Sequence, residues 1–391
     1  MKQMTLKTKS NLSPESTGIR SSQNARRRLF VRLPLFFLVA GMGLQLSSAS
    51  ARQQEDSAKV SGPQESPFSS YGSFEKLLQV ARQGNSDAQA AVSICYGKGD
   101  GVAQDYGKAF SWAMKSAGQG NALGASTVAG CYMQGKGVKE DIPRAVEWTR
   151  KAAELGDSKA QYNLASMYYD GFEGVPQELE KAFFWFEKAA NQGNRDAQYY
   201  LGACYTLGTG VEKNIENALH WLEKAANQGH AEAQDNLAAI YLNDNDVLQG
   251  IREASDLLFE KTKERGQNTS EKNIETEVQR KIEKMAYWFQ KAAQQGIARS
   301  QTNLGIFYAT GLGGMKKDLA EAMKWWKKAA DQGDAEAQYA LGACYSGEIP
   351  SFKDIPQDIK EMRKWLQKAA DQDNKKAKDA LERLDQAKTS S

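Results

Sequence analysis

Histidine is nearly missing from this chain, with two residues in 391, and cysteine (four) and proline (eight) are also scarce. His220 and His230 leave little scope for imidazole catalysis. Neither has a cysteine or a second histidine beside it at metal-ligand spacing, so both read as surface residues. Few prolines, 34 glycines and abundant alanine favour helices and argue against a β-sandwich. No apolar run approaches the roughly 20 residues that a membrane-spanning helix needs. The longest, Leu33–Leu46, has about 14. Neither sign of charge dominates either, with 51 Lys+Arg against 48 Asp+Glu and a net charge of +3. That charge is unevenly placed. Residues 1–51 hold Lys2, Lys7, Lys9, Arg20, Arg26, Arg27, Arg28 and Arg32 against the single acid Glu15, a balance of +7 that leaves −4 for the remainder. A mildly acidic body removes the electrostatic basis for binding nucleic acid.

The basic cluster, the short apolar run and the small-x-small triplet Ala49-Ser50-Ala51 together predict a signal peptide over residues 1–51, cleaved after Ala51. Arg27-Arg28-Leu29-Phe30-Val31 is similar to a twin-arginine export signal, although Arg26 stands where that pattern prefers Ser or Thr, and the general export route serves equally well. An uncleaved membrane anchor and an organellar transit peptide are the alternatives. With the leader removed, no stable membrane span is expected. Residues 52–73 follow as a Ser-, Gln-, Glu- and Pro-containing disordered linker, too polar to fold alone.

From Ala88 the chain repeats itself. A tyrosine recurs at 96, 132, 168, 205, 241, 308 and 345, and a tryptophan at 112, 148, 185, 221, 288, 325 and 365. The common spacing of 36 or 37 predicts a solenoid of helix pairs. In the first helix of one unit, Ala160, Leu164, Met167 and Tyr168 share one face. In its second helix, Ala182, Trp185, Ala189 and Ala190 form a stripe. Ala165, Gly202, Ala238, Gly305 and Gly342 are small enough to let the partner helix approach closely. Glycines 84, 120, 156, 193, 229, 296 and 333 follow the second-helix stripe and suit a left-handed cap. One unit cannot bury both its faces, so stacking must supply the core.

This pattern resembles the Sel1-like repeat family, relatives of the tetratricopeptide repeats. The resemblance rests on the helix starts Ala160-Gln161, Ala197-Gln198, Ala233-Gln234 and Ala337-Gln338. It rests also on the loops Gly135-Lys136-Gly137-Val138 and Gly208-Thr209-Gly210-Val211, and on endings such as Trp185 with Lys188-Ala189-Ala190-Asn191-Gln192-Gly193. It covers about residues 74–386 and implies an all-α, right-handed superhelical solenoid acting as a protein-interaction scaffold. Phe74–Gly84 aligns with a second helix without tryptophan, so residues 74–87 read as an N-terminal half-repeat and 88–374 as the array. Asp373 replaces the capping glycine, and residues 375–391 read as a charged capping helix with a tail.

The tyrosine spacing breaks between Tyr241 and Tyr308, which predicts a degenerate repeat near 250–296. Leu257 would take the place of tryptophan there, Gly266–Ser270 would form a turn, and Glu271–Ala293 would be one fused helix. The alternative is a disordered insertion. Cys95, Cys131, Cys204 and Cys344 share one repeat position, too far apart for disulfides, and read as buried free thiols. A cysteine-rich branch of the family pairs its two helices through a disulfide and is linked with β-lactam binding or hydrolysis; the second cysteine of each pair is missing here. Such an enzyme is the runner-up reading, to be tested by nitrocefin turnover, and a secreted host-directed or signalling adaptor is a third. Gly97–Val102 reads as a turn rather than a phosphate cradle, and Asn268-Thr269-Ser270 as a glycosylation acceptor only in a eukaryotic secretory host. No catalytic residue, cofactor or metal site is nominated. The expected partner is another protein. Its candidate contacts are the first-helix residues that vary between repeats, Tyr162, Asn163, Tyr199, Tyr200, Asn236, Asn303 and Tyr339, against the alternative that they are packing residues.

Overall fold

The computed structural model describes residues 69–243, 269–346 and 355–389. The expected leader, most of the linker, Leu257 and the start of the Gly266–Ser270 turn lie outside these residues. Among the described residues there are sixteen α-helices, and the β-structure is a single bridge between Phe172 and Val175. They divide into two compact units, one ending at Leu237 and one beginning at Ala238.

In the first unit a lone helix α1 (Phe74–Arg82) precedes four pairs. These are α2 (Ser86–Lys98) with α3 (Tyr106–Ala117), α4 (Ala122–Gln134) with α5 (Ile142–Glu154), α6 (Ser158–Asp170) with α7 (Leu179–Asn191), and α8 (Arg195–Leu207) with α9 (Ile215–Asn227). The unit boundary falls within α10 (Ala231–Leu242). The second unit continues with α11 (Thr269–Gln294), the pairs α12 (Ala298–Thr310) with α13 (Leu319–Asp331) and α14 (Ala335–Cys344) with α15 (Ile359–Ala370), and finally α16 (Lys375–Thr389). Within each pair the two helices pack on each other, and α3, α5, α7, α11, α13 and α15 each pack on the helix that follows.

Local chemistry sets the helix ends. Asn85, Asn121, Asp157, Asn194, Asp334 and Asn374 each accept the backbone N–H three residues on, which satisfies a donor with no partner inside the helix. Second helices begin on Asp105, Asp141, Asn214, Asp318 and Asp358 in the same way. The glycines after the second helices all have positive φ, from 80° at Gly120 to 99° at Gly84 and Gly296. At the last such position Asp373 takes φ 64° without the freedom of glycine.

The small residues of the first helices do admit the partner helix. A Cβ on Gly202 or Gly342 would lie 2.7 Å from Leu222 Cγ or 2.8 Å from Leu366 Cγ, and on Gly305 it would lie 2.4 Å from Trp326 Nε1. The tryptophan stripe needs correcting. The fully buried large position of the second helix is the residue after the tryptophan: Phe186, Leu222, Phe289, Trp326 and Leu366. With Ala182, Phe186, Ala189 and Ala190 facing inward, Trp185 is rotated one residue, about 100°, to the edge of the stripe. There Trp112, Trp148, Trp221 and Trp325 carry the ammonium of Lys115, Lys151, Lys224 and Lys328 at 3.9–4.4 Å from the ring centroid.

All four cysteines are free and buried, and burial pushes the Cys95 thiol up to about 11 and Cys204 up to about 12. The end of the expected linker is part of the fold: Ser69–Tyr71 form a 3-10 turn, Tyr71 packs on the cluster around Phe74 and Leu77, and Ser73 caps α1. Where the fused helix is expected, α11 runs from Thr269 to Gln294 and so begins inside the expected turn. From Ile282 to Ala293 it buries one face, while Glu277 pairs with Arg280 on the exposed part before it. In the charged last helix α16, Ala377, Ala380 and Leu381 are buried.

Candidate interaction site

The repeated glutamines hold the first-helix row in place. Gln89, Gln161, Gln198, Gln234, Gln301 and Gln338 are buried, and the Nε2 of each donates to the carbonyl of Ala81, Ala153, Ala190, Ala226, Ala293 or Ala330 on the preceding helix at 3.0–3.2 Å. Their Oε1 atoms accept in turn from the glutamine that ends the same repeat. Gln119, Gln192, Gln228, Gln332 and Gln372 donate to Gln89, Gln161, Gln198, Gln301 and Gln338 at 2.7–2.9 Å. A buried amide is thereby satisfied at both ends, and three helix ends are tied together. One repeat lacks both members of the pair. Ala125 stands in the first-helix position, and Leu155, 46% exposed, stands in the other.

Six of the seven candidate contact residues are buried. Tyr162, Tyr199, Tyr200 and Tyr339 are no more than 8% exposed, and Asn236 and Asn303 are buried with them. The tyrosines of the first unit belong to an aromatic cluster. Tyr200 stacks on Phe186 with centroids 4.9 Å apart and planes 6° apart, and it meets Tyr162 and Tyr169 at 6.0 and 5.8 Å. Burial holds the Tyr200 hydroxyl far above the usual phenol range and pushes Tyr169 up to about 12. Asn236 Nδ2 donates to the Tyr199 hydroxyl at 3.5 Å. Tyr339, in the second unit, lies under the Lys376 ammonium. Asn163 alone is exposed.

His230 is not the surface residue that its surroundings in the sequence suggest. Its side chain is 12% exposed and lies flat on Tyr199, with centroids 4.4 Å apart and planes 20° apart. It occupies the capping position held by Asn or Asp in six other repeats and by Ile297 in one, and its Nδ1 accepts the Ala233 N–H at 3.3 Å. Asp196 Oδ1 is 3.7 Å from Nε2, and Glu232 Oε2 is 3.3 Å from Nδ1. Burial lowers its pKa, against the opposing pull of Glu232 and Asp196. His220 is exposed, as expected. Among the described residues no group of three or more His, Cys, Asp or Glu side chains is placed to hold a metal ion.

Asn163 opens onto a groove of 1110 Å³ in the first unit, between α4 and α6. Leu123, Met133, Met167 and Phe172 supply apolar surface, Ser126, Thr127 and Gln134 polar groups, and Lys159 and Asp170 charge. Leu123 and Phe172 are 45% and 40% exposed. Met167, expected on the packing face of α6, instead lines this groove. The groove was missed in the sequence because its walls come from two repeats 36 residues apart. The signal that could have found it is Phe172, an aromatic in a loop position filled by Asp100, Lys136, Thr209 and Leu312 elsewhere.

Helix pairs of constant period, tied by paired glutamines and leaving a groove between successive first helices, define an α-helical repeat scaffold. This chain belongs to the Sel1 repeat family, whose repeat matches residues 86–121, 123–157, 158–194, 195–230, 278–297, 298–334 and 335–374. Among solved structures it is similar to c5321, a protective antigen present in uropathogenic Escherichia coli strains and displaying an SLR fold. The two are 26% identical with a TM-score of 0.54, over 80% of this chain and 67% of that one. It is also similar to a Sel1 repeat protein from Oxalobacter formigenes (25% identity, TM-score 0.47, 98% and 97% coverage) and to Helicobacter pylori cysteine rich protein B (25%, 0.27, 34% and 96%). No curated protein matches it significantly. Sel1 repeat proteins are generally non-catalytic protein-interaction scaffolds.

Proposed function

We propose that this chain is an exported, non-catalytic scaffold that binds another protein in an envelope or secreted complex. The α4/α6 groove carries the reading. It exposes Leu123 and Phe172 between two helices that the rest of the fold holds apart at fixed spacing. Isolated exposed apolar residues are ordinary on a protein surface, but several around one concavity mark a binding surface. Export is supported by the basic segment, short apolar run and Ala49-Ser50-Ala51 triplet ahead of the array. Among the described residues no helix is long and apolar enough to cross a membrane.

A photocrosslinking residue placed at Asn163, in the groove, is expected to yield a discrete protein adduct in the native compartment. The same residue at exposed Glu223 on α9 should not. No adduct from Asn163, or the same adduct from both positions, refutes the scaffold reading. Recovery of the protein in the cytoplasm with its leader intact refutes export separately.

A further inference from the structure

Helix α6 ends unlike α2, α4, α8 and α12; α14 too lacks a left-handed cap, closing on Tyr345 in the right-handed region. α2, α4, α8 and α12 close on Gly99, Gly135, Gly208 and Gly311 in the left-handed conformation, with the glycine N–H bonded back to the carbonyl four residues earlier. At the end of α6, Gly171 takes φ 75°, ψ 139°, outside that region, and no such capping bond forms. The chain turns instead through the Phe172–Val175 bridge, whose two bonds are 2.8 and 2.7 Å long. The carbonyls of Tyr168 and Tyr169 in the last turn accept from the Glu178 N–H at 2.8 Å and from Gln177 Nε2 at 2.7 Å.

Asp170 is the final residue of that helix, so it adds a carboxylate where a cation is favoured. The equivalent last residues Lys98, Gln134, Leu207 and Thr310 include no acid. Among the described residues Asp170 makes no ion pair, and partial burial already pushes its carboxyl up. Asp157, the other groove carboxylate, is engaged in accepting the Ala160 N–H. The facing helix α4 contains no charged residue. Lys159, the groove's cation, stands at the opposite end of α6, about 16 Å away by helix rise. The Asp170 end thus combines a carboxylate without an ion pair among the described residues and the apolar surface of Met133, Met167 and Phe172.

We propose that this groove docks an extended segment of a partner protein that presents an arginine or lysine among apolar residues. The cation meets Asp170, its stem crosses Phe172, and the neighbouring apolar side chains lie on Met133 and Met167. The proposal rests on the scaffold reading and adds the chemistry of the partner. Aromatic and thioether surface suits the aliphatic stem and charged head of such a residue.

The test uses the full chain and a library of random short peptides, selected in parallel on the wild type, Asp170→Asn and Phe172→Ala. Peptides enriched on the wild type are expected to carry Arg or Lys flanked by apolar residues. Their affinity, measured by calorimetry, should fall roughly tenfold or more on Asp170→Asn. It should be unchanged on Glu223→Gln. Asp170→Asn should not lower the melting temperature, because it removes a carboxylate from the unfavourable end of a helix. Enriched peptides without a cation, or equal affinity for Asp170→Asn, overturn the proposal. Peptides that bind independently of both Asp170 and Phe172 leave the scaffold reading standing and remove this groove from it. If nothing is enriched on the wild type, the docking site falls, and the scaffold reading is decided by the Asn163 adduct alone.

Discussion

Alanine in place of glycine inside a helix ordinarily stabilises it by about 0.5–1 kcal/mol, because glycine loses more backbone freedom on folding. At Gly305 the sign should reverse. A Cβ there would lie 2.4 Å from Trp326 Nε1 and 2.5 Å from Cδ1, well inside contact distance. The indole is 3% exposed and donates to the Thr302 carbonyl at 3.1 Å, so it cannot swing into solvent and moves only by breaking that bond. Overpacking of this kind costs about 1–3 kcal/mol. A stranded buried N–H costs about 1–3 kcal/mol more. Against the helix gain, Gly305→Ala should lose about 1–5 kcal/mol net. Gly130→Ala in α4 is the matched control: nothing lies within 4 Å of its added Cβ, so only the helix gain of about 0.5–1 kcal/mol remains. Urea unfolding of the full chain, followed by tryptophan fluorescence and far-UV circular dichroism, should show the midpoint falling for Gly305→Ala and rising slightly for Gly130→Ala. Gly202→Ala and Gly342→Ala should fall between them, since a leucine at 2.7–2.8 Å yields more easily than a hydrogen-bonded indole. A neutral or stabilising Gly305→Ala would refute the claim that helix approach sets this position.

The glutamine pair offers a coupling test. Gln161→Ala should lose about 1–3 kcal/mol and Gln192→Leu about 1–2 kcal/mol, because each breaks their shared 2.7 Å bond and the second strands a buried acceptor. The double variant, which copies the Ala125 and Leu155 pair, should fall short of the sum by about 1 kcal/mol; additivity in urea unfolding refutes the coupling. His230 carries the pH prediction. Its folded pKa is lowered by burial, so unfolding takes up a proton, and stability contributed above the unfolded value near 6.5 is lost as pH falls below it. A His230→Asn variant, which restores the usual capping residue, should flatten the stability profile below about pH 6.5. An unchanged slope sinks the assignment, as His220 is exposed and is the only other histidine.

The period, the helix pairs and the left-handed caps were legible because each depends on one residue type in one place. A glycine past the helix, Asn or Asp before it, and a small residue opposite a large one recur at 36 or 37 residues and reinforce one another. The inward side of the second helix was harder to read. Tryptophan is the most conspicuous apolar residue of each unit, and only the packing shows that its neighbour fills the core while the indole covers the edge beneath a lysine. The variable tyrosines posed the same difficulty in reverse. Tyr162 and Tyr200 vary between repeats, as contact residues would, yet both are buried and pack on the ring of Phe186. His230 reads as an isolated polar residue until its position is matched with the capping asparagines of other units.

What the repeat pattern hides is its exceptions, and these carry the functional signal. A position needed for stacking must satisfy the same geometry in every unit, so it says little about any one of them. The departures converge on the boundary between α4 and α6. The repeat containing α4 replaces both glutamines of the paired bond, α4 has no charge, α6 ends without its left-handed cap, and the following loop presents an aromatic. Replacing Gln by Ala125 removes hydrogen bonds, and ending α6 on Asp170 opposes the helix dipole. Neither change improves the stack. The second is accounted for if this boundary meets a second chain, because a docked cation neutralises Asp170 while apolar side chains cover Leu123 and Phe172.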